Sequence, residues 1–105
     1  MKHALNAVVC RSSWSKARGL MFSRRKNLVF AFEQDTSVPL HMLFVFFPID
    51  VFYLDAKKNV IEAKKGFKPF TFYTPKNKAR YVVEVPSPSD IKVGDRIEIS
   101  GDAGI

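Results

Sequence analysis

Short runs in which apolar and polar residues alternate make up most of the chain. In "DRIEIS" (95–100), Ile97 and Ile99 are expected to face inward, with Arg96 and Glu98 outward. "LNAVV" (5–9), "LVFAFE" (28–33) and "ARYVVEV" (79–85) read as further strands. "VFYLDAKKNVIEAKK" (51–65) reads as a hairpin with Asp55 to Asn59 as its polar turn. Asp55 is expected to accept hydrogen bonds from amides two residues on. "KPFTFYTP" (68–75), bounded by Pro69 and Pro75, is expected to be irregular or an edge segment. "VGD" (93–95) is the tight turn before the last strand, with Gly94 supplying its backbone geometry. "PLHMLFVFF" (39–47) is apolar on both faces, so it is expected to be a central strand covered on both sides.

A different period appears only in "SSWSKARGLMF" (12–22). Trp14, Ala17, Leu20 and Met21 share one face of a helix, and Ser12 or Ser13 can cap it. The expected fold class is therefore α+β and mostly β. It is a compact curved sheet or partial barrel of six or seven short strands with one main helix over about residues 13–22.

Length and composition narrow this further. A chain of 105 residues that is 47% hydrophobic supports one core, hence a single domain over 1–105. The lone Cys10 has no internal disulfide partner and reads as a small apolar residue. The apolar run "AVVC" is too short for a secretory signal. The longest apolar stretch, 42–49, falls far short of the roughly 20 residues a spanning helix needs. A soluble cytoplasmic protein without membrane association is expected. The net charge of +7 is uneven: residues 1–30 carry seven Lys or Arg and no acid. Such a charge attracts polyanions non-specifically.

Four pieces, "ARGLMF" (17–22), "PIDVFYLD" (48–55), "ARYVVEV" (79–85) and "IKVGDRIEI" (91–99), stand in an order and spacing that resemble the DUF192 family. This is a family of small prokaryotic proteins of unknown function, and the resemblance spans about residues 5–99. It implies a compact, β-rich α+β domain and no particular activity. Many bacterial members read like "FWMKNT" before the Pro-x-Asp; here the polar trio is replaced by Leu43, Phe44 and Val45. The chain is most similar in kind to the shorter, cytoplasmic archaeal-type members.

Asp50 stands inside the greasiest stretch of the chain, where a carboxylate needs a partner. Arg18, on the expected helix, is the expected partner, and the pair would lock the helix onto the central strand. With Met21 these residues frame a candidate ligand-binding cleft: Arg18, Met21 and Asp50. His3 and His41 show no metal-ligand spacing, and no catalytic residue, metal or cofactor is expected. A second candidate surface is basic and aromatic. Lys57, Lys58, Lys64, Lys65, Lys68, Lys76, Lys78 and Arg80 accompany the aromatics Phe67, Phe70, Phe72 and Tyr73. Such residues can neutralise phosphates and stack on unpaired bases, although lysines around core-completing aromatics give the same pattern.

The expected function is thus a non-enzymatic binding or accessory role with an unknown ligand. One alternative is single-stranded nucleic-acid binding through 57–80. Another is an enzyme acting on an anionic or carbohydrate substrate, with Asp50 as its acid. The expected partner is a polyanion or nucleic acid, and the assembly a monomer or homodimer.

Overall fold

A computed structural model of the chain describes residues 1–10, 27–37, 40–41, 48–68 and 71–100. Nine strands follow in chain order: β1 (Lys2–Asn6), β2 (Val8–Cys10), β3 (Leu28–Thr36), β4 (Leu40–His41), β5 (Ile49–Leu54), β6 (Val60–Phe67), β7 (Phe72–Tyr73), β8 (Ala79–Pro86) and β9 (Arg96–Ser100). Seven of them form two sheets, one five-stranded in the order β2-β3-β8-β5-β6 and one a parallel β1-β9 pair. Strands β4 and β7 make a separate antiparallel ladder of two residues each.

The fold is mostly β, with no helix among the described residues. The helix expected over 13–22 lies outside them. No helix of the described residues is long and apolar enough to cross a membrane.

Strand β5 is buried along its whole length because its six residues serve two apolar layers at once. Ile49, Val51 and Tyr53 join Leu28, Phe30, Phe67, Ala79 and Val82 on one face of the five-stranded sheet. Phe52 and Leu54 join Val29, Val60, Val83 and Val85 on the other, where Ile97 of β9 and the half-buried Leu5 and Ile99 close over them. Both faces being covered explains the continuous apolar run. Among the described residues β5 is such a doubly covered strand, whereas most of the one expected at 39–47 lies outside them. Leu40 and His41 pair instead with Tyr73 and Phe72, and 42–47 lie outside the described residues.

The single first strand expected from "LNAVV" is split. Up to Asn6 the chain pairs with β9, and from Val8 it pairs with β3. Between them the Ala7 amide donates to the Ser100 carbonyl at 2.8 Å. One run of chain thus serves both sheets, which together hold seven strands, within the six or seven expected.

The two sheets meet again at the start of β6. The Ile97 amide donates to the Lys58 carbonyl (3.0 Å), the Val60 amide to the Asp95 carbonyl (2.7 Å), and Asn59 bridges Arg96. This corner involves only a few residues, so the described strands do not close into a barrel.

The β5–β6 hairpin forms as its residues dictate. Asp55 Oδ1 accepts the Lys57 and Asn59 amides at 2.9 Å each, and the Lys58 amide donates to the Asp55 carbonyl, also at 2.9 Å. The turn needs left-handed backbone at its last position, and Lys58 adopts it with φ 69°. An L-residue with a Cβ is strained there by about 1–2 kcal/mol, whereas glycine is not.

The β5–β6 ladder shifts register twice, and Gly66 takes φ 63° near its end. Bulges and lysines on an outer strand discourage pairing with other chains. Lys64 and Lys65 on β6 fit that role.

Replacing Lys58 with Gly should raise the unfolding free energy by about 0.5–1 kcal/mol, because relief of the left-handed strain outweighs the freer unfolded chain. Urea unfolding checks this: the midpoint should rise at unchanged m-value.

Candidate functional site

Asp50 is 1% exposed yet fully provided with donors. The Gly66 amide donates to its Oδ1 at 2.8 Å. At Oδ2 it receives the Ser89 amide (2.9 Å) and the Ser89 hydroxyl (2.6 Å). The left-handed bulge at Gly66 is what turns that amide toward the carboxylate. Burial by itself would push the Asp50 carboxyl up. The hydrogen bonds from the Ser89 hydroxyl, the Gly66 amide, the Ser87 side chain and the Ser89 amide together outweigh it and hold the carboxyl below its ordinary value. The acid in the apolar segment thus anchors the 87–89 connection and the end of β6. Arg18 and Met21, the other members of the expected cleft, lie outside the described residues.

Two more buried carboxylates do the same work. Glu62 on β6 accepts the Tyr73 hydroxyl, the Lys76 amide (3.0 Å), the Asn77 amide and the Asn77 side-chain amide (both 2.9 Å). Burial would raise its pKa, but the Tyr73 and Asn77 side chains and the Lys76 and Asn77 amides hold it low. That hydrogen bond pushes the Tyr73 hydroxyl up to about 12. Tyr53, opposite Glu62 in the ladder, is driven up by burial and then by the charges of Glu62, Tyr73 and Glu84.

Asp95 accepts from His3 Nε2 at 2.7 Å, the Lys92 amide at 3.1 Å and the Met1 amino group at 3.1 Å. His3 is the main reason its carboxyl is held at about 2. Sequence reasoning assigned no such roles to Glu62, Tyr53, His3 or Asp95. Glu62 stands alone among lysines and Asp95 follows a turn glycine, but their partners are distant in the chain.

The basic and aromatic residues of 57–80 do not share one face. Phe67 is 1% exposed and belongs to the core, Phe72 is 75% exposed, and Phe70 lies outside the described residues. Neighbouring positions on a strand point to opposite sides. Lys64 accordingly lies over the Tyr73 ring (5.8 Å to its centroid), while Lys65 reaches the Phe52 ring (5.9 Å) and the Ser89 carbonyl (3.1 Å). Lys58 lies over the Tyr81 ring at 5.6 Å, and Arg80 pairs with Asp35 at 3.3 Å. Lys57, Lys68, Lys76 and Lys78 are exposed.

Two open hollows are present among the described residues. One, of 520 Å³, lies over Ala31 to Gln34 and Thr36. The other, of 310 Å³, is lined by Ala4, Lys58, Arg96, Glu98, Ile99 and Ser100. Among the described residues, no group of three or more His, Cys, Asp or Glu side chains is placed to hold a metal ion.

Over residues 1–99 the chain matches the model of the DUF192 family, described as "Uncharacterized ACR". It is 33% identical over 93 residues to a UPF0127 protein of Thermococcus sibiricus, a match covering 81% of this chain and 60% of that protein. It is 38% identical over 87 residues to a UPF0127 protein of Pyrococcus furiosus, covering 76% of this chain and 74% of that one. The chain therefore spans only about three fifths of the length of the first relative. The fold is similar to that of a protein of unknown function from Novosphingobium aromaticivorans. The TM-score is 0.63 at 19% identity, over 74% of this chain and 60% of that chain.

Removing the Asp50 acceptor leaves buried donors from Gly66 and Ser89 unpaired. Asp50→Ala should cost about 3 kcal/mol of stability, read by chemical denaturation. The acid limb of stability follows from the same bonds. Asp50, Glu62 and Asp95 have folded pKa values below their unfolded ones, so their contribution is complete above the unfolded values near about 4. It is lost as pH falls through the folded values, down to the about 2 of Asp95. Unfolding free energy measured against pH should be level above about pH 5 and fall steadily below about pH 4.

Proposed function

Because the chain belongs to the DUF192 family, described only as uncharacterized, its function has to be argued from its own geometry, and we propose that it is a non-enzymatic binding or accessory domain. One observation carries the reading. Asp50, Glu62 and Asp95 are each consumed by at least three hydrogen bonds from the strands and connections around them, and each is shifted toward the permanently ionised form. A general acid is shifted the other way, toward the working pH. Asp50 was the one acid an enzymatic reading would use, and its low pKa argues against that use. The Asp50 carboxylate, spent on Gly66 and Ser89, is then a support for the connection it holds and not a ligand contact. The expected compartment is the cytoplasm, in keeping with a chain whose single Cys10 can form no internal disulfide.

A second reading, binding of single-stranded nucleic acid, is favoured by Phe72. This ring is 75% exposed, and exposed Lys68, Lys76 and Lys78 lie near it in the chain. An aromatic platform among cations is what stacking on unpaired bases requires. The buried Phe67 cannot contribute, so the surface is smaller than the 57–80 stretch suggests.

Fluorescence anisotropy with a short labelled single strand tests both. Binding should weaken steeply as salt is raised. Phe72→Ala should lower affinity by about fivefold to a hundredfold, and a folded Asp50→Asn variant should bind like the parent. Absence of binding at low salt removes the nucleic-acid reading. Hydrolysis of phosphoesters or glycosides that vanishes in folded Asp50→Asn would overturn the non-enzymatic one.

A further inference from the structure

The outer face of the β1–β9 pair carries the 310 Å³ hollow. Its cause is legible in the register. On β1 the exposed positions Lys2, Ala4 and Asn6 stand beside Arg96, Glu98 and Ser100 of β9. In the middle of this row Ala4 contributes only a methyl group, while longer side chains rise around it. Lys58 enters from the hairpin tip, which the Ile97–Lys58 hydrogen bond and the Asn59–Arg96 bridge clamp against β9.

The charges around the hollow do not cancel. Glu98 is engaged by Lys2, with Nζ 2.8 Å from Oε1. Arg96 and Lys58 make no ion pair among the described residues, although both are close enough to influence the Glu98 carboxyl. Two cations therefore border a concavity whose one acid already has a partner. Lys58 adds an independent sign. It occupies a left-handed position where glycine would be unstrained, so a long cationic side chain is kept there against the backbone preference.

We propose that this hollow binds the terminal phosphate of a small soluble phosphorylated molecule. Arg96 offers a fork of donors matched to phosphate oxygens, and Lys58, whose ammonium lies over the Tyr81 ring, a compact point charge beside it. The Glu98 carboxylate repels a continuous run of phosphodiesters, but it can accept a hydrogen bond from a hydroxyl next to a single phosphate. That selects a polyhydroxylated phosphomonoester over a nucleic-acid strand. The hollow lies at the low end of ligand-pocket sizes, which fits a ligand of this kind. The inference deepens the binding-domain reading, on which it rests, and is separate from the surface around Phe72. Lys58 and Lys68 flank β6 at opposite ends.

Titration of the isotope-labelled full chain with ribose 5-phosphate, followed by amide chemical shifts, tests it. Inorganic phosphate, free ribose and a short single strand serve as comparison arms. Shifts should centre on Ala4, Lys58, Arg96, Glu98 and Ser100, with ribose 5-phosphate tighter than inorganic phosphate and free ribose inert. Arg96→Ala should weaken binding about tenfold. Ala4→Leu, which fills the hollow from an exposed position and leaves every charge in place, should abolish it. Lys58→Gly should weaken it while folding at least as well as the parent.

Absence of ribose 5-phosphate binding, shifts centred elsewhere, or undiminished affinity in Ala4→Leu and Arg96→Ala would each overturn the proposal. If the single strand still binds through Phe72 when ribose 5-phosphate does not, the pocket is refuted and the nucleic-acid reading stands. If neither binds, the pocket and the nucleic-acid reading are both refuted.

Discussion

A carboxylate removed from water costs several kcal/mol unless donors surround it, and this chain turns that cost into architecture. Asp50, Glu62 and Asp95 sit at or near the ends of strands, and each gathers backbone amides from a connection that has no regular ladder of its own. Asp50 draws the 87–89 connection onto β5 and β6, Glu62 fixes the 73–77 connection, and Asp95 ties His3 of β1 to the turn before β9. Hydrophobic burial is non-directional and could not choose among many loop conformations. Charge-assisted hydrogen bonds can, because a loop that misses its carboxylate leaves an ion buried and unpaired.

These bonds also divide the molecule into parts with different work. The buried Asp50, Glu62 and Asp95 are spent on shape, while the lysines of 57–78 stay toward the surface, where water and salt screen them. Several lysines are still held in definite places. Lys64, Lys65 and Lys58 lie against the rings of Tyr73, Phe52 and Tyr81, their stems covering apolar surface while their heads remain wet. They shield the edge of β6 and keep positive charge near both ends of the hairpin. A surface of this kind suits recognition of anions.

Strand β5 connects the two roles. Its two buried faces join the core layers, its first turn of chain carries Asp50, and its hairpin tip carries Lys58 to the corner with β9. The corner rests on few hydrogen bonds, yet it sets the distance between Lys58 and Arg96 and so the width of the hollow. The Lys58 backbone strain is accommodated because Asp55 and Asn59 fix the turn on both sides.

Local pattern by itself determined the β-rich character, the β5–β6 hairpin with its Asp55 turn, the strands over 79–86 and 96–100, and the inward facing of Ile97 and Ile99. Each depends on neighbours within a few residues, where side-chain alternation and turn chemistry act directly. It also marked Asp50 as needing a partner. Which partner is a long-range matter: Gly66 and Ser89 are brought to it only once β6 and β8 have paired on either side of β5. The same holds for Glu62 with Asn77, for His3 with Asp95, and for the sorting of buried Phe67 from exposed Phe72, two rings with the same local signature. The hollow beside Ala4 depends on the parallel register of β1 with β9, strands from opposite ends of the described chain. No local preference encodes such a meeting; only the shared burial of Leu5, Ile97 and Ile99 against the larger sheet decides it.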